Sequence, residues 1–274
     1  MAKRDRLAWL KPPKGAPGGV MSLADHLREF RYRVIISTLA IVLTAVIAAF
    51  FYNAIYGLLM QPWLKALELL KETNPSLDPK AVISGVAAPF TLIMMIAGVT
   101  GLIVSSPIWI YQAWAFIVPA LHAHERKWAI RFVAVAVPLF LLGVAIGYIV
   151  LPTGISAMLA LTPSTGGTIT NLLDVNAFLD MQLRLMVIFG LAFELPVFLI
   201  GLNMAGIVKA RQLAKVRTYV IFGLFVFAAA VTPSPDPFSM LALALPLVAL
   251  FIAAEVVCRI HDRRALKADA EAQA

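Results

Sequence analysis

The sequence predicts an all-α polytopic membrane protein with six transmembrane helices that are bent and form a concave bundle. Hydrophobic residues make up 61% of the 274 residues and charged residues only 14%, whereas a soluble domain carries about 25% charged residues. Several apolar runs approach the roughly 20 residues that a helix needs to cross a bilayer. Basic residues concentrate in alternate connections between these runs, which is typical of multi-pass membrane proteins.

The predicted spans, in chain order, are Val34–Tyr52, Ala88–Ile110, Ala129–Leu151, Ala177–Leu202, Thr218–Thr232 and Phe238–Ala254. The fifth has 15 residues, which would be about 22 Å of helix against a hydrocarbon core of about 30 Å. The sixth is also short. Either these two helices extend beyond their apolar windows, or the bilayer is thinner around them.

Prolines lie inside four of the six spans, at Pro107, Pro138, Pro196 and Pro246. A proline removes one backbone donor from a helix and favours a kink. The sequence therefore predicts bent helices around a concave surface.

The long connections differ in character. Asn53–Ala87 contains a predicted surface helix around Pro62–Glu72, with Pro62 as an early residue of that helix. Pro152–Asn176 is rich in Thr, Gly and Asn and is predicted to be a loop. The last two spans are joined by a proline-rich turn, PSPDP.

The charge distribution predicts the orientation. The first, third, fifth and last of the non-spanning segments hold 19 of the 23 Lys and Arg residues, and the positive-inside rule places such segments in the cytoplasm. Both termini are therefore expected inside. We divide the chain into a flexible basic tail (1–21), a six-span membrane domain (22–258) and a polar cytoplasmic tail (259–274). The net charge of +8 is explained by this orientation, and no nucleic acid is expected as a partner.

Three charged residues lie in the fourth span. Asp180 and Arg184 are four residues apart, so they share a helical face and are predicted to form an ion pair. Glu194 has no basic residue within one turn. Because an unpaired acid in the membrane costs about 2.5–3.5 kcal/mol or more, Glu194 should face a cavity, a polar partner or a neighbouring subunit, or be protonated and hydrogen-bonded inside the bundle.

Two segments on the inner side carry a candidate binding surface. Ser22–Arg33 reads as an amphipathic helix leading into the first span, in which Glu29 is flanked by arginines and could simply belong to a local ion-pair cluster. Tyr111–Lys127 also contains the acid Glu125 beside two basic residues. Its aromatics, together with the preceding Trp109, are suited to anchoring at lipid headgroups; they are Tyr111, Trp114 and Phe116. His122 and His124 are a poor pattern for a metal site because no further ligands lie nearby.

Four motifs, in this order, resemble the TatC family, the multi-spanning receptor subunit of the twin-arginine protein translocase. They are HLREFRYR before span one, YQAWAFIVPALHAHERK between spans two and three, FELPVF in span four and TPSPDPFS before span six. The resemblance implies a receptor that binds twin-arginine signal peptides of folded precursors on the cytoplasmic face of a bacterial inner membrane. It also implies that this receptor supports their export across the membrane, driven by the proton-motive force. It implies TatA, and TatB where present, as partners, a homo-oligomer within the complex, and no cofactor.

The resemblance also implies roles for individual residues. Glu29 and Glu125 match the acids of twin-arginine recognition, and Phe116 matches the aromatic beside them. Glu194 matches the intramembrane acid. Two further positions match residues of the outer face that are structural or contact a partner: Pro62 in the first outer loop and Asp236 in the last outer turn. One position departs from the family, because Met240 stands where Gln is frequent.

Two other classes of function fit the sequence less well. An ion-coupled small-molecule transporter could use Glu194 as its coupling acid, but such transporters usually contain internal repeats, and none is evident. A membrane-embedded enzyme is disfavoured because the sequence contains no HExxH, GxSxG or GK[ST] motif.

Overall fold

The computed structural model describes residues 23–73, 79–121, 126–162, 172–231 and 237–272. The helices in these ranges are α1 (Leu23–Phe50), α2 (Tyr52–Thr73), α3 (Ala88–Val104), α4 (Ser106–Leu121), α5 (Arg126–Ala160), α6 (Val175–Phe193), α7 (Leu195–Met204), α8 (Ala210–Val231) and α9 (Pro237–Ala272). Two strands, β1 (Lys80–Val82) and β2 (Leu172–Asp174), pair in parallel.

Long apolar helices confirm the predicted class. Five helices or continuous helix pairs within the described ranges can cross a membrane by length and composition, and the pair α3–α4, bent by 56°, makes a sixth. The fifth and sixth spans extend beyond their apolar windows, since α8 has 22 residues and α9 has 36. At 1.5 Å per residue, α8 is about 33 Å long, so helix length alone does not require a thinner bilayer.

Helices are interrupted next to two of the four prolines at which the sequence predicted bends. The chain breaks at Ser105 between α3 and α4, and at Glu194 between α6 and α7. In each case a proline, Pro107 or Pro196, is the second residue of the helix that follows, where its missing N–H has no intrahelical partner to lose. The other two prolines lie within the uninterrupted helices α5 and α9.

The centre of the bundle is the crossing of α5 and α6. Phe140, Phe189 and Phe193 are fully buried there. A Cβ at Gly143 would lie 2.5 Å from the backbone oxygen of Phe189 and 2.9 Å from the Cα of Gly190. Only glycine allows these two helix backbones to approach so closely, and this approach sets the position of α6.

Two expectations for the connections before α3 and before α6 are wrong. Pro62 lies in the middle of α2 and is buried, because the helix starts ten residues earlier, at Tyr52. Pro152 does not begin a loop, because α5 continues through it to Ala160. The β1–β2 pair, which links the connection before α3 to the connection before α6, was not predicted.

The proline in α2 has a structural consequence in α5. Pro62 has no N–H, so the carbonyl four residues earlier, at Leu58, has no helical donor. The hydroxyl of Tyr148 on α5 donates to the Leu58 oxygen at 2.7 Å. A side chain from the third span therefore satisfies the carbonyl that the proline leaves free.

The ends of the chain are partly described. The tail at 1–21 lies outside the described residues, as do residues 232–236, which include the first four residues of the PSPDP turn. The predicted amphipathic segment and the first span form one continuous helix, α1. At the other end, α9 passes without interruption through Arg259 to Ala272, so the polar tail is helical as far as residue 272.

Candidate functional site

Glu29 lies on α1 with only 7% of its surface exposed. Its Oε1 accepts hydrogen bonds from Nε of Arg33 at 2.9 Å and from Nη2 at 2.5 Å. The two residues are one helical turn apart, which explains the local pairing. Of the arginines that flank Glu29 in sequence, Arg28 instead pairs with Asp25 at 3.7 Å.

Arg33 also connects α1 to α4. Its Nη1 donates to Oε1 of Gln112 at 3.1 Å. The guanidinium thus bridges the buried carboxylate of Glu29 and a neutral amide on the neighbouring helix. The sequence analysis assigned no role to Gln112. Gln112 lies four residues before Phe116, about one helical turn, so the two side chains share a helical face.

Phe116 lies on α4 against the first turns of α1. Its ring stacks on His26, with a centroid distance of 4.5 Å, and contacts Phe30 at 5.4 Å. A cavity of about 380 Å³ opens between α1 and α4 beside these rings. Its lining includes Phe116, Phe30, Trp109, Arg33 and Gln112, so a mainly apolar surface lies next to the charged pair.

The prediction that the aromatics of α4 anchor at lipid headgroups is wrong for Trp114, which is buried in the bundle. Trp114 is 5% exposed and stacks on Phe132 of α5 at 4.7 Å with nearly parallel rings. Trp109 donates its indole N–H to the carbonyl oxygen of Leu102 at 2.9 Å and meets Phe140 edge-on at 5.2 Å. Trp114 holds α4 against α5, whereas Trp109 and Phe116 both line the α1–α4 cavity.

Two predicted site residues lie outside the described residues. Glu125 belongs to the connection between α4, which ends at Leu121, and α5, which begins at Arg126. Asp236 immediately precedes α9. The role of Glu125 beside Glu29 in twin-arginine recognition therefore stays a prediction. His122 and His124 fall in the same connection, outside the described residues.

Glu194 occupies the break between α6 and α7. Its backbone N–H donates to the oxygen of Leu191 at 3.1 Å, and its own carbonyl accepts from Phe198 at 3.0 Å. The side-chain Oε1 is buried and has no hydrogen-bond partner among the described residues. The expected helix interruption is present, but a polar partner inside the described part of the bundle is not.

The ion pair predicted in the same span is confirmed. Arg184 Nε donates to Oδ1 of Asp180 at 2.9 Å, and Nη2 lies 2.8 Å from Oδ2. Both side chains are largely exposed. Met240, at the position that departs from the family pattern, packs against the core of the bundle.

The comparisons with known proteins agree on one family. The model of the TatC family, Sec-independent protein translocase protein, matches residues 25–246. This chain belongs to the TatC family. It is 40% identical over 248 residues to TatC of Frankia casuarinae, covering 89% of this chain and 67% of that one. It is 33% identical over 229 residues to TatC of Escherichia coli K12, covering 84% of each.

The fold agrees with a solved TatC. A crystal structure of the twin-arginine translocase receptor TatC in the detergent DDM matches with a TM-score of 0.69 at 33% identity, covering 85% of this chain and 99% of that one. Membership of the TatC family makes the protein a component of a protein-transport system. The resemblance drawn from four sequence motifs is thereby confirmed.

Proposed function

We propose that this protein is the receptor subunit that binds twin-arginine signal peptides of folded precursors on the cytoplasmic face of a bacterial inner membrane. With TatA, and TatB where present, it supports export driven by the proton-motive force. The observation that carries the proposal is the buried carboxylate of Glu29, which already holds an arginine guanidinium beside an apolar cavity.

The Glu29–Arg33 pair supports arginine recognition chemically. A carboxylate that accepts two N–H groups of a guanidinium has the geometry that favours arginine over lysine. In the free protein that guanidinium is supplied by Arg33. An arginine of the signal peptide would either displace Arg33 or bind the second carboxylate oxygen, and Gln112 would then retain Arg33 beside the site.

The cavity between α1 and α4 supports binding of the apolar part of the peptide. Phe116 and Phe30 present ring surface into a space of about 380 Å³, which is enough for one or two apolar side chains. Phe30 is half-exposed, at 51%, so covering it would bury apolar surface at about 25 cal/mol per Å². Charge recognition and apolar burial therefore act on adjacent parts of one peptide.

A second carboxylate is needed for a pair of arginines, and Glu125 is the candidate. It lies in the connection directly after α4, which carries Gln112 and Phe116.

In the same proposal, Glu194 contacts a partner helix within the membrane, since its buried Oε1 has no donor among the described residues. Asp236 and Pro62 serve the outer face, Pro62 through the packing of α2 on α5.

The decisive experiment compares peptide binding by Glu29→Gln, Glu125→Gln and the double variant in detergent or nanodiscs. The probe is a fluorescent signal peptide with two arginines, and a matched peptide carries two lysines. Each substitution keeps the side-chain volume and removes one charge-assisted interaction of about 1.5–3 kcal/mol, or roughly 10- to 150-fold in Kd. We expect that loss for the arginine peptide and little change for the lysine peptide.

Glu68→Gln is the matched control, because Glu68 is an exposed acid on α2, on the outer side. It should bind like the unchanged protein. Equal binding of the arginine peptide by the control and by the double variant would exclude Glu29 and Glu125 as its carboxylates. Normal membrane insertion of each variant shows that lost binding is not lost folding.

A further inference from the structure

A second cavity, of about 700 Å³, lies where the connection from α7 to α8 meets the last turns of α9. It is distinct from the α1–α4 cavity and shares no lining residue with it. Its basic lining residues are Lys209, Arg211, Arg259, His261 and Arg263. Such a concentration of cations in one concave surface favours an anionic ligand.

The acids near this cavity are already engaged. Oδ1 of Asp262 accepts from Nδ2 of Asn203 at 2.9 Å, and Oδ2 accepts from the backbone N–H of Ala210 at 2.8 Å. Asp262 therefore ties α9 to the first residue of α8. The nearby Glu255 is 2% exposed and pairs with Arg259.

Three of the cations remain available. Lys209, Arg211 and Arg263 are exposed, and their side chains form no ion pair or hydrogen bond with the described residues. Their positive charge is therefore not neutralised by the described part of the fold. An anion that enters the cavity would meet three free cationic groups.

A buried acceptor adds a second requirement. Asn203 is 3% exposed. Its Nδ2 donates to the carbonyl oxygen of Val208 at 2.8 Å and to Oδ1 of Asp262 at 2.9 Å, and these two hydrogen bonds define the orientation of the amide. Its Oδ1 lacks a partner among the described residues, although Asn203 lines the cavity. The ligand that fits therefore carries an anionic group and also a hydroxyl donor.

The cavity lies at the depth of lipid headgroups. The apolar part of α8 begins only after Arg217, and α9 becomes polar from Arg259 onward, so both helices leave the apolar phase here. Leu266, which also lines the cavity, is 69% exposed and offers an apolar border to an acyl chain. A lipid can reach this position laterally from the bilayer.

We propose that this cavity binds the headgroup of an anionic phospholipid with free glycerol hydroxyls, of the phosphatidylglycerol type. The phosphate contacts the cations at 209, 211 and 263, and a glycerol hydroxyl donates to Oδ1 of Asn203. Bound there, the lipid bridges the α7–α8 connection and the end of α9, adding to the tie that Asp262 makes.

The test is native mass spectrometry of the protein released from nanodiscs that contain equal amounts of phosphatidylglycerol and phosphatidylcholine. We expect retained phosphatidylglycerol in preference to phosphatidylcholine by at least about tenfold. The variant with Lys209→Gln, Arg211→Gln and Arg263→Gln should lose that preference. The control variant with Lys65→Gln, Lys71→Gln and Lys80→Gln, on the outer side, should keep it.

Two further arms separate the parts of the proposal. Phosphatidylpropanol carries the same charge without glycerol hydroxyls, so it should bind more weakly than phosphatidylglycerol; equal binding would overturn the role of Asn203. Inorganic phosphate should not displace the lipid at millimolar concentration; displacement would make this a site for soluble phosphate instead. Equal retention of phosphatidylglycerol by both triple variants would overturn the site itself, and an unfolding curve for each variant shows that the fold is intact.

Discussion

The hydroxyl of Tyr148 gives a direct test of how α2 accommodates its internal proline. Pro62 cannot donate to the Leu58 carbonyl, and Tyr148 donates to that oxygen at 2.7 Å. Tyr148→Phe removes the donor and keeps the ring. The Leu58 carbonyl then has neither its helical partner nor its tertiary one.

The magnitude follows from the type of bond that is lost. Hydrogen bonds between helices in membranes contribute about 0.6 kcal/mol on average, with a maximum near 1.7 kcal/mol. Because the carbonyl is left without a protein partner, we expect a loss of about 1–2 kcal/mol in the free energy of unfolding. In a Pro62→Ala background the new N–H at position 62 satisfies Leu58, so the loss from Tyr148→Phe should fall to less than about 0.5 kcal/mol.

The assay is a double-mutant cycle measured by equilibrium unfolding in mixed micelles. The four proteins are the unchanged chain, Tyr148→Phe, Pro62→Ala and the double variant. Tyr219→Phe is the control, since Tyr219 is 78% exposed on α8, and its substitution should be nearly neutral. An equal cost of Tyr148→Phe in both backgrounds would refute the coupling between the proline and the hydroxyl.

Three further predictions concern the bundle. Gly143→Ala should lower the free energy of unfolding by about 1–3 kcal/mol through overpacking, because the new Cβ meets backbone atoms of α6. Gly98→Ala, which has open space around it, should be neutral or stabilising in the same unfolding assay. Similar results for both variants would contradict the close crossing of α5 and α6. Glu194→Gln should leave the free energy of unfolding unchanged or higher, since it replaces an ionisable carboxyl, whose buried Oε1 has no partner among the described residues, by a neutral amide of the same size. It should also lower export of a folded reporter, and normal export would argue against a partner contact there. Asp180→Asn should change stability by less than about 1 kcal/mol, because its ion pair with Arg184 is exposed, and a larger loss in the unfolding assay would show that the pair is structural.

Much of the architecture could be read from local pattern. The six apolar windows predicted the spans, because crossing a bilayer demands about 20 apolar residues in succession wherever the helix packs. The pairing of Asp180 with Arg184 followed from helical spacing alone. The candidate residues Glu29 and Phe116 were found from motifs, and in the structure Phe116 lines the α1–α4 cavity while Glu29 pairs with Arg33, which also lines it.

Errors arose where distant segments meet. The aromatic belt was wrong for Trp114 because its exposure depends on Phe132, on another helix. The helix through Pro152 was missed because a proline reads as a break locally, whereas α5 is held on both sides by packed neighbours. The β1–β2 pair joins segments about ninety residues apart, and three-residue strands carry too little periodicity to predict.

The sequence by itself determined that this chain crosses the membrane six times, because hydropathy acts on each segment separately. The tertiary structure alone decided that Arg33 bridges Glu29 to Gln112, that Tyr148 satisfies the carbonyl freed by Pro62, and that Asp262 ties α9 to α8. These contacts depend on how helices cross, and the crossings depend on side-chain and glycine packing between segments that no local window contains.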